Sequence, residues 1–169
     1  MIYGITGPAG AGKDTAGAYI CKVTGATHIS FAAPLKAALA AMGFPEPSNR
    51  DDKEVQIPNF PFSWRRLAQT LGTEWRNMVD PDLWLKLAMS RATWSGDCVF
   101  TDVRFDAEAT AIRERGGKII HIQGRKVGLN GLESHASEQG ILMLDTDFFV
   151  DNSGTLEQLH SQLESIIHV

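Results

Sequence analysis

The fold turns on the stretch Ile2-Tyr3-Gly4-Ile5-Thr6 and the residues directly after it, Gly7-Pro8-Ala9-Gly10-Ala11-Gly12-Lys13-Asp14-Thr15. The first five residues form a short apolar, β-branched run of the kind that becomes a buried parallel strand when helices flank it. Residues 7–13 satisfy G-x-x-x-x-G-K. Glycines in such a loop let successive backbone N–H groups turn inward onto phosphate oxygens without side-chain clash. The helix that follows adds the positive end of its dipole, and the lysine reaches the β- and γ-phosphates. Ala16, Tyr19, Ile20 and Val23 keep helical spacing immediately afterwards. Strand before and helix after distinguish a phosphate-binding loop from a glycine-rich turn that happens to precede a lysine. The expectation is a nucleoside triphosphate held by Gly7, Ala9, Gly10, Ala11, Gly12, Lys13, Asp14 and Thr15.

One position departs from the usual pattern. A Ser or Thr normally follows the lysine and binds Mg²⁺, whereas here Asp14 stands there with Thr15 next. A carboxylate at that point either ligates Mg²⁺, directly or through water, or sits in the first helical turn where the dipole favours an anion. The residues alone leave both readings open.

Further apolar runs follow at Val99–Thr101, at Lys118–Ile122 after the Gly116-Gly117 break, and at Phe148–Val150. Helical spacing separates them: Phe105, Ala109 and Ile112, then Leu156, Leu159, Leu163 and Ile166, with Thr155 and Gln158 fitting a capping box. Between the halves lies a mostly helical insert. Trp64, Leu67, Ala68, Leu71, Trp75 and Met78 form one apolar stripe, and Leu83, Leu87 and Arg91 continue into another helix. The segment Phe44–Phe62 carries Pro45, Pro47, Pro58 and Pro61 and reads as an irregular surface excursion. Gly124–Gly140 is a second irregular, polar segment. These elements predict one three-layer α/β/α domain over residues 1–169 with a parallel sheet. Its core spans about 1–36 and 97–169, its helical insert about 37–96, and a mobile loop about 124–140.

The bulk properties agree with this picture and exclude others. A chain of 169 residues with 43% hydrophobic and 21% charged content supports one domain with its own core. A net charge of -4 argues against a nucleic-acid duplex as partner, because phosphate-backbone binders carry a basic excess. The two cysteines, Cys21 and Cys98, match no metal-ligand spacing and suit a reducing compartment. The N-terminus lacks a basic region followed by a long apolar run, and no stretch approaches the ~20 apolar residues of a membrane helix. The expected location is the cytoplasm.

Cys98-Val99-Phe100-Thr101-Asp102 is an apolar strand ending in aspartate. Ligands of open α/β sheets bind beyond the carboxyl ends of the strands, which puts Asp102 near the phosphates and the metal. Arg104 follows, either as a phosphate clamp or as a surface partner of Asp106 or Glu108. In the insert, Arg65, Gln69, Gly72 and Arg76 fall on one narrow face beside the apolar stripe. That face is either a wall for an anionic acceptor or a solvated surface. Lys36 is likewise a phosphate contact or an exposed lysine. The loop 124–140 offers Arg125, Lys126, His135, Ser137 and Glu138, a composition that suits a basic lid excluding water from phosphoryl transfer. The remaining histidines show no mutual metal-ligand spacing.

Several fragments occur together in a recognisable order. Gly7-x-x-x-x-Gly12-Lys13-Asp14, Phe31-Ala32-Ala33-Pro34-Leu35-Lys36, Gln69-Thr70-Leu71-Gly72-Thr73-Glu74-Trp75-Arg76, Asp102-Val103-Arg104-Phe105-x-x-Glu108 and His135-x-Ser137-Glu138 resemble the bacteriophage deoxynucleoside monophosphate kinase family. The resemblance runs from residue 1 to Asp151-Asn152-Ser153-Gly154-Thr155-Leu156, and Gly-Lys-Asp is a familiar variant there. It implies a P-loop kinase fold and transfer from ATP, with Mg²⁺, to a deoxynucleoside monophosphate, in the host cytoplasm if the protein is phage-encoded. It further implies that Lys13 and Asn152 serve the donor, that Asp14 and Asp102 lie near Mg²⁺, and that Lys36, Arg65, Arg104 and Glu108 surround the acceptor. Gln69, Glu74 and Trp75 would meet the base or sugar. Arg125 would be a catalytic lid arginine beside Lys13 and Arg104, with His135 and Glu138 also on the substrate. Glu74 points away from the Arg65 face if the helix is continuous, so that assignment requires a break at Gly72.

The rivals are another small-molecule kinase on this fold, such as one resembling dephospho-coenzyme A kinase, and a non-catalytic nucleotide-binding module. A GTPase switch would need Asn-Lys-x-Asp, which the sequence lacks. The insert's apolar stripes serve a core or a homodimer interface equally well.

Overall fold

In a computed structural model, residues 1–49, 51–90, 96–124 and 140–168 are described. The chain divides into two compact units, one of residues 1–30 with 92–169 and one of residues 31–91.

The first unit is built on a five-stranded parallel sheet. Its strands are β1 (Ile2–Thr6), β2 (Thr27–Ile29), β3 (Cys98–Phe100), β4 (Lys118–Gly124) and β5 (Phe148–Asn152), in spatial order β2-β3-β1-β4-β5. The central β1 pairs with β3 from Ile2↔Cys98 and with β4 from Tyr3↔Lys118. All five β1 residues are buried, as expected of a strand covered on both faces.

Side-chain alternation assigns the layers. Tyr3, Ile5, Val99, Ile120, Ile122 and Val150 point to one face. There they pack with Ala16 and Ile20 of α1 (Lys13–Thr24) and with Leu159, Leu163 and Ile166 of α6 (Leu156–Ile167). The opposite face receives α5 (Asp106–Arg113), which approaches so closely that a Cβ on Gly4 would lie 2.7 Å from Ile112 Cδ1. The result is the three-layer α/β/α arrangement the sequence predicts. α6 opens with the expected capping box: Thr155 N donates to Gln158 Oε1 at 2.8 Å, and Gln158 N to Thr155 Oγ1 at 3.3 Å. The edge strand β2 is an addition to the elements the sequence predicts.

The second unit holds α2 (Ala33–Ala41), a 3₁₀ turn at Asp51–Lys53, α3 (Trp64–Met78) and α4 (Leu83–Met89). Leu35, Leu39, Trp64 and Trp84 form its core, joined by Phe44, Ile57, Leu67, Ala68, Leu71 and Leu83. Both indole N–H groups are satisfied, Trp64 on the Phe44 carbonyl (3.0 Å) and Trp84 on that of Gly72 (2.9 Å). Ser63 caps α3 by accepting from Arg66 N. The predicted stripe on α3 is buried only in part, since Trp75 is 47% exposed and Met78 81%. No described helix is long and apolar enough to cross a membrane.

Candidate active site

β1 ends at Thr6 and α1 begins at Lys13, so the chain must turn between them in residues 7–12. Three positive-φ glycines, Gly7, Gly10 (φ +78°) and Gly12, make the turn possible. Gly7 (φ +148°) and Gly12 (φ +97°) take backbone conformations that residues with a Cβ rarely adopt, and both are crowded as well. A Cβ on Gly7 would lie 2.2 Å from the Ile122 carbonyl oxygen, and one on Gly12 2.3 Å from the Asn152 side-chain nitrogen. Within the loop, Ala11 N donates to the Pro8 carbonyl at 3.2 Å.

The ends of β4 and β5 brace this loop. Gly124 abuts it so tightly that a Cβ there would meet Ala11 Cα at 2.8 Å. Asn152 donates through Nδ2 to the Ala11 carbonyl at 2.9 Å. Asn152, expected near the donor nucleotide, thus touches the loop itself. The Lys13 ammonium folds back and donates to the carbonyls of Gly7 (2.7 Å) and Pro8 (2.8 Å). Neutral carbonyls are weaker partners for an ammonium than phosphate oxygens, so a polyphosphate competes well for it.

The loop helix and the Asp102 strand are locked side by side. A Cβ on Gly17 would lie 2.2 Å from Thr101 Cγ2, which lets α1 ride close to the end of β3. Loops after the neighbouring β1 and β3 leave toward opposite faces of the sheet, since α1 covers one face and α5 the other. Such a divergence opens a ligand crevice at the carboxyl ends of the two strands. Asp102, half-buried, stands at that edge and accepts from Ser30 Oγ at 2.6 Å. Thr101 beside it pairs through Oγ1 with His28 Nε2 at 2.8 Å.

Asp14 and Thr15 belong to the first turn of α1. Among the described residues no group of three His, Cys, Asp or Glu side chains is placed to hold a metal ion. The carboxylates of Asp14 and Asp102 are hard oxygen donors. This set fits Mg²⁺, which is commonly held by one or two carboxylates together with substrate phosphates and water rather than by a protein cage.

Arg104 is exposed just beyond this edge. Glu108 serves the backbone. One of its carboxylate oxygens accepts from Arg104 N (2.8 Å) and Phe105 N (3.1 Å), capping α5 from a residue only 8% exposed.

In the second unit, the expected acceptor residues are engaged by internal carboxylates. Lys36 pairs with Glu46 at 3.1 Å, which also binds Lys53 at 2.5 Å, and Arg65 pairs with Glu54. Burial alone would raise the Glu46 pKa, but the hydrogen bonds from Lys53 and Lys36 outweigh it and hold the carboxyl below its ordinary value. Lys53, Glu46 and Glu54 carry no signal in the sequence; only the structure shows which charges in residues 44–54 reach these lysines and Arg65. Gln69 and Glu74 lie on α3. That helix runs unbroken through Gly72, which puts Glu74 about 180° around the axis from the Arg65–Arg76 face. The break that Glu74 would need to join that face is absent from this described helix. Trp75 stacks on Trp84 with centroids 6.1 Å apart. Arg125, His135 and Glu138, with the rest of the expected lid at 125–139, lie outside the described residues, as does Arg91.

A family model for deoxynucleotide monophosphate kinase matches residues 48–163. The chain belongs to the deoxynucleotide monophosphate kinase family. Members named deoxynucleotide monophosphate kinase include one from Escherichia phage RB69, 33% identical over 115 residues, and one from Enterobacteria phage T4, 31% identical over 121. These alignments take in 64% and 67% of this chain but only 46% and 49% of the phage proteins, so the chain spans about half the length of those relatives. A third relative, from Acanthamoeba polyphaga mimivirus, is 28% identical with 99% of this chain and 96% of its own length aligned. Among solved structures, a sugar kinase from Janibacter sp. (TM-score 0.56, 15% identity) and a gluconokinase from Sinorhizobium meliloti (TM-score 0.53, 14% identity) share the fold. The first aligns with 99% of this chain and 94% of its own, the second with 96% and 89%. The family's fold in this chain is therefore a three-layer P-loop kinase fold.

Proposed function

We propose that this chain transfers the γ-phosphoryl group of ATP to a deoxynucleoside monophosphate in the cytoplasm. The observation that carries the reading is the six-residue loop between buried β1 and α1, with three positive-φ glycines and Lys13 arched over it. Family membership supplies the acceptor class.

In this reading the loop N–H groups and Lys13 cradle the donor phosphates, while Asn152 and Gly124 keep the loop in shape. Asp14 and Asp102 hold Mg²⁺, which when bound neutralises charge on the β- and γ-phosphates. Arg104 and the lid's Arg125 stabilise the transferring group. Lys36 and Arg65 exchange Glu46 and Glu54 for the acceptor phosphate, with Gln69 and Trp75 toward its base or sugar. His135 and Glu138 belong to the lid's share of the substrate contacts. Glu108 acts on the acceptor side by fixing the start of α5 behind Arg104. Phosphoryl transfer needs positioning and charge neutralisation rather than a covalent intermediate, and this residue set supplies both.

An acceptor panel tests the proposal. With Mg·ATP, at least one of the four common deoxynucleoside monophosphates should raise ADP release well above the acceptor-free rate. Equal rates with and without all four would contradict it, and stimulation only by a non-nucleotide acceptor would point to a different kinase on the same fold.

A further inference from the structure

The edge strand β2 adds no bulk to the core, as two of its three residues are exposed. It does bring two polar side chains to the end of β3. His28 lies within β2, and Ser30 directly follows its last residue. His28 meets Thr101, and Ser30 meets Asp102. The register Thr27↔Cys98, His28↔Val99, Ile29↔Phe100 brings the strand ends level, which lets a side chain as short as serine bridge the gap.

The Ser30–Asp102 bond is short for a hydroxyl and carboxylate, 2.6 Å, in the range of a charge-assisted hydrogen bond. It holds one oxygen, Oδ2, of a half-buried carboxylate. Thr101, the residue before Asp102, is fixed from two sides, by His28 and by the close approach of Gly17. Thr101 and the Asp102 side chain are thus held by different neighbours. A carboxylate that merely ended a strand in solvent would not need this arrangement. One that must present oxygen to a cation at a fixed place would, since groups that hold a ligating carboxylate set its orientation and typically change metal affinity 10–100-fold when removed.

We infer that Ser30 is a positioning residue, whose hydroxyl fixes the Asp102 carboxylate for the cation that accompanies the nucleotide. The inference rests on the proposed role of Asp102 at the donor site. It does not depend on the identity of the acceptor. Because the Ser30 hydroxyl acts through the Asp102 carboxylate, its effect belongs to the metal-dependent part of nucleotide binding.

The test measures the affinity of the full chain for β,γ-imido-ATP by calorimetry, with and without Mg²⁺. The ratio of the two affinities is the gain conferred by the cation. Ser30→Ala should reduce that gain about tenfold and leave the metal-free affinity unchanged. Ser30→Cys, near-isosteric but a weak donor, should behave the same way and guards against a packing defect in the alanine variant. Ser30→Thr, which keeps the hydroxyl, should restore the gain to within about threefold of the wild type, while Asp102→Asn should lose it. A normal gain in Ser30→Ala and Ser30→Cys beside a lost gain in Asp102→Asn would overturn the inference and leave the kinase reading standing. An unchanged gain in all of them would overturn both the inference and the metal role of Asp102. Failure of every deoxynucleoside monophosphate as acceptor would remove the proposed acceptor and leave Ser30 to be judged by the affinity ratio alone.

Discussion

Lys13 and Asn152 act on the same loop in different ways, and their variants should separate accordingly. Lys13 is half-exposed and its ammonium bonds the loop's own carbonyls, so its loss should leave the fold intact. Lys13→Ala should lower turnover at least about a hundredfold, in the range found when one charge-stabilising donor is removed, with an unchanged circular dichroism spectrum. Near-normal turnover would remove the donor site from this loop. Asn152 shapes the loop through the Ala11 carbonyl. Asn152→Ala removes one net hydrogen bond of ~1 kcal/mol, which corresponds to about a fivefold rise in the KM for ATP with kcat little changed. A kcat defect with unchanged KM would show that Asn152 takes part in the transfer itself.

At the scale of elements, Glu108 shows how a recognisable motif can hide what its residue does. The fragment Asp102-Val103-Arg104-Phe105-x-x-Glu108 marks the residue as important, yet the carboxylate caps α5 through two backbone amides. The capping-box pattern usually begins with Ser, Thr, Asp or Asn, and Phe105 at the N-cap conceals it. Glu108→Ala leaves both amides without this acceptor at a cost of about 1–3 kcal/mol, so Tm should fall by about 2–12 °C. A thermal melt showing no change, together with a raised acceptor KM, would restore a direct substrate role.

The same contrast explains what the sequence made legible. β1 and α1 are readable because a strand buried on both faces must be apolar throughout and the glycine pattern marks the turn. β2 is three residues long with two exposed side chains, so no periodicity betrays it. The Ser30–Asp102 contact joins residues 72 positions apart, which local pattern cannot reveal. On α3 the apolar stripe continues beyond the insert's own core, and spacing alone does not tell its buried positions from Met78, which the structure leaves exposed.

Across the whole molecule, the first unit is tied together by a buried carboxylate that no sequence motif marks. Asp147, its side chain 1% exposed, pairs with Arg113 of α5 (Nε to Oδ1, 3.0 Å; Nη2 to Oδ2, 2.5 Å), His121 of β4 (3.0 Å) and Leu144 N (2.9 Å). Arg113 also donates to the Leu142 carbonyl, and Leu142 N to Asp106. The network joins α5 and β4 to the approach to β5. Burial pushes the Asp147 pKa up, but hydrogen bonds from Arg113, Leu144 N and His121 outweigh this, and the folded carboxyl titrates below its ordinary value. A depressed carboxyl contributes stability that is complete above its unfolded pKa and is lost as pH falls through the folded one. Asp147→Ala should therefore cost roughly 3 kcal/mol near neutral pH, by leaving Arg113 without its buried partner. The gap in Tm between the wild type and the variant should narrow as pH falls below about 4. A gap independent of pH would show that the network stabilises by packing and not by charge.

The destination of the γ-phosphoryl group decides what this molecule does. γ-Radiolabelled ATP and Mg²⁺, incubated with the protein and each deoxynucleoside monophosphate in turn, give a direct answer by chromatography of the products. Label should appear in a deoxynucleoside diphosphate, and its appearance should depend on Lys13. Label found only in inorganic phosphate, whatever monophosphate is present, would contradict the proposed transfer.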